Sequence, residues 1–136
     1  MSIPNGHFWG AAFAPLRDTV ALSGEPNVTS LFRLSTGELT GQLRGQFVGS
    51  KGVFFSPDQR RIVTCSSGRD AIKLWDLETE RSVLTLADEG EHWYVSEFSP
   101  DGNLIGTLST RYVLRIWQAP TWEQIGEWER EAERSE

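Results

Sequence analysis

The stretch that decides the fold is residues 53–76, which read VFFSPDQRRIVTCSSGRDAIKLWD. Its apolar start ends at Pro57-Asp58, where proline fixes the backbone and aspartate can hydrogen bond to its own following backbone, as in a β-turn. Beyond the turn, apolar and polar side chains alternate, as expected for β-strands. Extended a few residues on either side, the pattern predicts four short strands, at residues 52–56, 61–65, 71–76 and 81–86.

The same pattern occurs three times along the chain. Three sets of landmarks keep one spacing of 42 or 43 residues. They are Phe13-Ala14-Pro15, Phe55-Ser56-Pro57 and Phe98-Ser99-Pro100; Leu31-Phe32, Leu74-Trp75 and Ile116-Trp117; and Leu43, Leu86 and Trp128. A period of about 40 to 45 residues is that of a four-stranded β-propeller blade.

The first and third repeats also divide into four predicted strands each. Those of the first repeat are residues 8–14, 19–22, 28–34 and 38–43, and those of the third are 95–99, 104–109, 113–118 and 123–128. The short connections fit antiparallel hairpins and leave no room for crossover helices.

The middle repeat resembles a WD40 repeat, because Phe55-Ser56-Pro57-Asp58 is followed by an intact Trp75-Asp76 pair. The third repeat keeps Trp117 but has Gln118 after it, and the first has Phe32-Arg33. The resemblance implies an all-β fold. The stretch Trp117-Gln118-Ala119-Pro120-Thr121-Trp122 and the charged ending after it resemble the closing blade of bacterial WD40 proteins. We expect a partial WD40-type β-propeller of three four-stranded antiparallel blades, at residues 8–44, 51–86 and 95–128, followed by a charged tail at 129–136.

Six aromatic residues at equivalent positions are expected to form the structural core of the blades. They are Phe13, Phe32, Phe55, Trp75, Phe98 and Trp117. WD40 repeats usually also have a Gly-His pair before the first strand, whose histidine joins a buried hydrogen-bond relay to the tryptophan. No such pair precedes the first strand of the second or third repeat, and His92 lies too close to Val95 to replace it. Aromatic packing, at about 25 cal/mol per Å² buried, should then carry more of the stability.

Composition and charge argue against several classes of function. The net charge of −6, with no evident basic face, argues against a nucleic-acid partner. No apolar run approaches the roughly 20 residues that span a bilayer, and no signal peptide begins the chain. A cytoplasmic protein is therefore expected. His7, His92 and Cys65 show no metal-ligand spacing, and no nucleophile has a base nearby in sequence, so we expect no metal, no cofactor and no catalytic residues.

The leading functional prediction is a protein-interaction module, the scaffold or sensor part of a bacterial regulatory protein. The candidate partner-binding residues belong to predicted loops on the narrower face, which commonly receives partners in this family: Arg69, Asp70, His92, Trp93, Tyr94 and Arg111. Loops on a rigid scaffold often carry function. Alternatively, Trp93 only caps the core and the loop charges are merely solvated. The sequence does not identify the partner.

The second functional class is a propeller with a small-ligand or enzymatic site in its central channel. Such a site needs ionisable residues on the innermost strands, and there the sequence offers only Glu97. A third possibility is a decayed fragment without function, because the first repeat has lost both Trp and Asp.

Three blades cannot close a ring, since propellers use about four to eight. The open end faces of blades one and three should therefore be apolar and prone to association. Either the chain is part of a longer propeller, which we favour, or copies assemble. Each blade is expected to be self-contained, without a clasp that joins the chain ends. In the tail, Glu127/Arg130, Arg130/Glu133 and Glu131/Arg134 are spaced to support a short helix, although a solvated, frayed end is the simpler expectation.

Overall fold

The computed structural model describes residues 7–24, 28–45, 52–66, 72–86 and 93–135. These form three antiparallel sheets and one α-helix. The first sheet consists of β1 (Phe8–Ala14), β2 (Thr19–Gly24), β3 (Val28–Arg33) and β4 (Leu39–Arg44), with a 3-10 turn at Pro15–Arg17. The second consists of β5 (Gly52–Phe55), β6 (Arg61–Cys65), β7 (Ile72–Asp76) and β8 (Arg81–Leu86). The third consists of β9 (Trp93–Phe98), β10 (Leu104–Ser109) and β11 (Leu114–Gln118), and is followed by α1 (Trp122–Arg134).

The strands of each sheet pair with their neighbours in chain order, and the register repeats. In the second sheet Ile62 lies opposite Trp75. The equivalent pairs are Val20 with Phe32 in the first sheet and Ile105 with Trp117 in the third. The inner strands β1, β5 and β9 lie side by side. The prediction of an all-β fold built from successive propeller-type sheets is confirmed; we refer to the sheets as blades one, two and three.

The prediction of a fourth strand in blade three, at residues 123–128, is wrong. Those residues belong to α1, so blade three has three strands and its outer strand is β11. The Thr121 hydroxyl accepts the Gln124 N–H at 3.1 Å, and the Gln124 side chain accepts the Thr121 N–H at 2.9 Å. This reciprocal capping box starts a helix. The glutamate- and arginine-rich sequence that follows favours helix over strand.

Each blade has two faces, because side chains alternate along a strand. We call the face that bears Trp75, Trp117 or Phe32 the aromatic face, and the opposite one the aliphatic face. The aromatic face of blade two packs on the aliphatic face of blade one in a cluster of Ala21, Leu31, Leu43, Val53, Ile62, Trp75 and Leu77. The aromatic face of blade three packs likewise on blade two in a cluster of Val63, Cys65, Ile72, Leu74, Phe98, Ile105 and Ala119.

Blade two is therefore buried on both faces, and every residue of β6 is buried. Blades one and three each have one face that no other sheet of the described chain covers. These are the aromatic face of blade one and the aliphatic face of blade three. The core thus consists of two interfaces between blades.

Candidate functional site

The three blades have two common ends, defined by the turns that join their strands. We call the end with the β10–β11 turn and the start of β9 the upper end. The lower end has the turns at Pro57 and Pro100 and the start of α1. Of the predicted partner-binding residues, Trp93, Tyr94 and Arg111 belong to the upper end, because Trp93 pairs with Ser109 at the last position of β10 and Arg111 follows in the β10–β11 turn.

Three of those residues, Arg69, Asp70 and His92, lie outside the described residues. Trp93 and Tyr94 are the first two residues of β9, so their backbone belongs to a strand and not to the predicted loop. Their side chains are outside what the structure describes. Arg111 is exposed in the β10–β11 turn, as predicted.

The β10–β11 turn is held in one conformation by Ser109. The Ser109 carbonyl accepts the Tyr112 N–H at 3.0 Å, and its hydroxyl accepts the N–H groups of Arg111 and Val113 at 3.3 and 3.2 Å. Tyr112 adopts a φ of 62°, uncommon for a bulky residue, and its side chain is 86% exposed. The prediction missed Tyr112, although an exposed aromatic beside Arg111 is the composition of an interaction hot spot.

The six predicted core aromatics differ in burial. Trp75 and Phe98 are 3% and 7% exposed. Phe32, Phe55 and Trp117 are half-buried. Phe13 is 66% exposed, so placing it in the core was wrong. It shares the aromatic face of blade one with Val20 and Phe32, and that face has no neighbouring sheet.

The tryptophans of blades two and three each hydrogen bond to a buried threonine. Trp75 Nε1 donates to Thr64 Oγ1 at 2.9 Å, and Trp117 Nε1 donates to Thr107 Oγ1 at 3.0 Å. Thr64 and Thr107 are 0% and 1% exposed. The Trp–Thr part of a polar relay is thus present in both blades, and it satisfies an indole N–H that burial would otherwise penalise.

The uncovered face of blade three is mostly apolar, with Glu97 and Gln118 as its polar members. On it Gly106 lies opposite Ile116, and Leu108 lies opposite Leu114. Ile116 and Leu114 are 60% and 66% exposed, whereas their equivalents in blade two, Leu74 and Ile72, are each 1% exposed. The predicted apolar end faces are therefore present in the structure.

A groove of about 780 Å³ runs along the inner strands. It is lined by Ala11, Ala12, Phe13, Val53, Phe54, Phe55, Pro57, Glu97, Phe98, Ser99, Pro100, Leu104, Gly106 and Ile116. Glu97 is the one ionisable residue of this lining. A lone carboxylate among apolar side chains is not a catalytic arrangement.

At the lower end, two Ser-Pro-Asp turns share one hydrogen-bond pattern. The Ser56 hydroxyl donates to Asp58 Oδ1 at 2.5 Å, and that oxygen also accepts the Arg60 N–H at 3.0 Å. The Ser99 hydroxyl and the Asn103 N–H bind Asp101 at the same two distances. Burial raises the pKa of Asp58, but these hydrogen bonds, with Trp122 and the Arg61 charge, outweigh it and lower the pKa overall.

The helix is anchored to blade two through Trp122. The guanidinium of Arg60 stacks over the indole ring at 4.1 Å from its centroid, and that of Arg61 lies at 5.0 Å. The indole N–H points to Asp58 Oδ2 at 3.4 Å, and Arg61 Nη1 donates to the Pro120 carbonyl. Cation–π contacts of this kind hold one end of α1 at the lower end.

Neither a metal-binding cluster nor a reactive thiol is found among the described residues. Within the described ranges, no three His, Cys, Asp or Glu side chains are grouped to hold a metal ion. Cys65 is buried beside the Ser96 hydroxyl, at 2.8 Å, and burial raises the pKa of its thiol to about 12. Such a thiol is unreactive at neutral pH. Among the described residues, no helix is both long enough and apolar enough to span a membrane.

Curated proteins match this chain over parts of their length. No family model matches the chain. It is 34% identical over 65 residues to a coronin-like protein of Saccharomyces cerevisiae, covering 48% of this chain and 10% of that protein. It is 30% identical over 100 residues to an uncharacterized WD repeat-containing protein of Synechocystis, covering 74% and 28%. It is 27% identical over 122 residues to the small ribosomal subunit protein RACK1y of Oryza sativa, covering 84% and 35%.

The Synechocystis relative is named as a WD repeat-containing protein, which agrees with the repeated antiparallel sheets of this chain. The fold is an all-β, partial WD40-type β-propeller. The chain spans between 10% and 35% of the length of these curated relatives.

Proposed function

We propose that the chain serves as a scaffold or sensor module in a bacterial regulatory protein, and that it binds a protein partner at its upper end. The observation that carries this proposal is the β10–β11 turn, where Tyr112 is 86% exposed beside the exposed Arg111. Ser109 holds the turn, so little conformational entropy is lost on binding. Tyrosine and arginine are favoured at interface hot spots.

The relatives support an interaction role without naming a partner. The RACK1y protein of Oryza sativa is named as a small ribosomal subunit protein and so belongs to an assembly. We propose that this chain acts in the cytoplasm, without a metal or an organic cofactor, and that it is not an enzyme. The negative net charge supports a protein partner over a nucleic acid.

A small-ligand or enzymatic propeller is the less favoured alternative. Its site would be the inner groove, where Glu97 is the one ionisable residue of the lining. General acid–base catalysis needs positioned groups with matched pKa values, and a single carboxylate does not provide them.

The uncovered end faces also require a partner surface. We propose that they are covered either by further blades of a longer chain or by other copies of this chain, because contiguous exposed apolar side chains favour association. The relatives' greater length is compatible with the first possibility.

Site-specific photo-crosslinking tests the upper-end proposal. A benzophenone amino acid is placed at position 112 and, as a matched control, at Leu16, which is 80% exposed in the 3-10 turn of blade one. We expect one defined protein adduct from position 112, none from position 16, and loss of the adduct when Arg111→Asp is added. The same adducts from both positions, or an adduct insensitive to Arg111→Asp, would contradict the proposal.

A further inference from the structure

The two uncovered faces of the chain are the two halves of one kind of interface. Both interfaces inside the chain pack the aromatic face of one blade onto the aliphatic face of the blade before it. The uncovered face of blade one is an aromatic face, and that of blade three is an aliphatic face. A second copy therefore presents the complement of each uncovered face in the geometry that the chain already uses twice.

The side chains at equivalent positions support this match. On the aromatic face of blade one, Phe13, Val20 and Phe32 stand where Phe55, Ile62 and Trp75 stand in blade two. In blade two that trio packs on blade one, and Ile62 and Trp75 are 0% and 3% exposed. The first trio has the same apolar character, with a phenyl ring in place of the indole.

The aliphatic face of blade three offers the corresponding surface. Leu114 and Ile116 take the places of Ile72 and Leu74, which contact the aromatic face of blade three inside the chain. Gly106 stands at the position of Val63 and leaves room for the incoming aromatic rings. Glu97 belongs to this face too, opposite Gly106 on the innermost strand, and it lines the inner groove, where its carboxylate can stay in contact with water.

We propose that two copies of the chain close into a six-bladed ring, in which the aromatic face of blade one packs on the aliphatic face of blade three of the other copy. Two such contacts, related by a twofold axis, bury all four uncovered faces. Six blades lie within the range of closed propellers. The proposal rests on the proposed covering of the end faces and names other copies of this chain as what covers them. It uses a different surface from the upper end.

Charge reversal on each face tests the ring. Phe13→Glu disrupts the aromatic face and Ile116→Glu the aliphatic face, and both positions are mostly exposed within one chain, so each variant should fold. We expect sedimentation velocity of the unaltered chain at micromolar concentration to give twice the monomer mass of 15.3 kDa. Each variant alone should fall to 15.3 kDa, whereas Leu16→Glu, on neither face, should remain a dimer.

Mixing the two variants provides the decisive step. Phe13→Glu keeps an intact aliphatic face and Ile116→Glu an intact aromatic face, so an equimolar mixture should form a heterodimer through one intact contact. A monomeric unaltered chain would overturn the proposal, and so would dimers that survive both substitutions or a mixture that stays monomeric. Far-UV circular dichroism checks that each variant is folded.

Failure of the ring is separable from failure of the proposed function. The crosslink from position 112 is read in the Phe13→Glu background, where the upper end is unchanged. An adduct there together with a monomeric unaltered chain would refute the ring alone.

Discussion

Residue 32 shows how the blades differ at a single position. Trp75 and Trp117 each donate to a threonine two residues beyond the residue opposite them, whereas blade one has Phe32 for the tryptophan and Leu22 for the threonine. The indole N–H and its acceptor are therefore lost together. Because a buried N–H without a partner costs about 1–3 kcal/mol, losing only one of them would destabilise the blade.

The hydrogen bond between Trp75 and Thr64 predicts that substitutions at the two positions have non-additive effects on the free energy of unfolding. Thr64→Leu should cost about 1–3 kcal/mol, because the buried Trp75 N–H loses its acceptor. Adding Trp75→Phe recreates the combination of blade one, so the double variant should cost less than the sum of the two single changes by about 0.5–3 kcal/mol. Urea unfolding of the four proteins measures the cycle. Strict additivity would show that the hydrogen bond contributes nothing.

Asp58 makes the stability of the fold depend on pH in the acid range. Its folded pKa lies below the ordinary 3.8, so it stabilises the fold above pH 3.8 and that contribution disappears as pH falls through the folded value. Asp58→Asn should lower the melting temperature at pH 7 and flatten the loss of stability below pH 4.

The matched comparison is Asp101→Asn. The pKa of Asp101 is also lowered, by the Ser99 hydroxyl and the Asn103 N–H, but no Trp122 contact is involved. Both variants should reduce the loss of stability at acid pH. Asp58→Asn alone should also lower the helix content, because it removes a contact to Trp122 of α1. Equal helix content in the two variants would argue against the anchoring role of Asp58.

At the scale of elements, the sequence specified the strands better than the end of the chain. Turn residues such as Pro57-Asp58 and Pro100-Asp101 punctuate the repeat, so eleven of the twelve expected strands are present in the described chain. The twelfth was inferred from the spacing of Trp128 alone. The local signal, Thr121 and Gln124 around a helix start after Pro120, was overlooked, and it prevails because no neighbouring sheet compels those residues to extend.

Two substitutions in α1 should have opposite effects. Thr121→Ala removes the cap and should destabilise the helix by about 0.5–2 kcal/mol. Gly126→Ala should stabilise it by up to about 1 kcal/mol, since the added methyl group would lie 3.5 Å from the Arg130 side chain, an ordinary contact. Amide hydrogen exchange over residues 122–134 measures both. The exchange of β5 to β8 serves as the internal control and should be unchanged by either substitution.

At the scale of the whole molecule, burial depends on which blade has a neighbour on each side. The repeat predicted equivalent aromatics in all three blades, yet Phe13 is exposed and Trp75 is not. A periodic sequence specifies which face a residue occupies, but it does not specify whether another blade covers that face. The candidate site was only partly predictable for a different reason. Arg111 follows from its place in a turn, whereas the exposure of Tyr112 follows from the conformation that Ser109 imposes on that turn.

This dependence on neighbours predicts different costs at equivalent positions. Ile72→Ala in blade two should cost about 2–5 kcal/mol, because the side chain is 1% exposed between two sheets. Leu114→Ala, at the equivalent position in blade three and 66% exposed, should change the stability of the monomer by no more than about 0.5 kcal/mol. Urea melts in the monomeric Phe13→Glu background make this comparison, since closure of a ring would bury Leu114 and raise its cost. Similar losses for both substitutions in that background would mean that the aliphatic face of blade three is covered within a single chain.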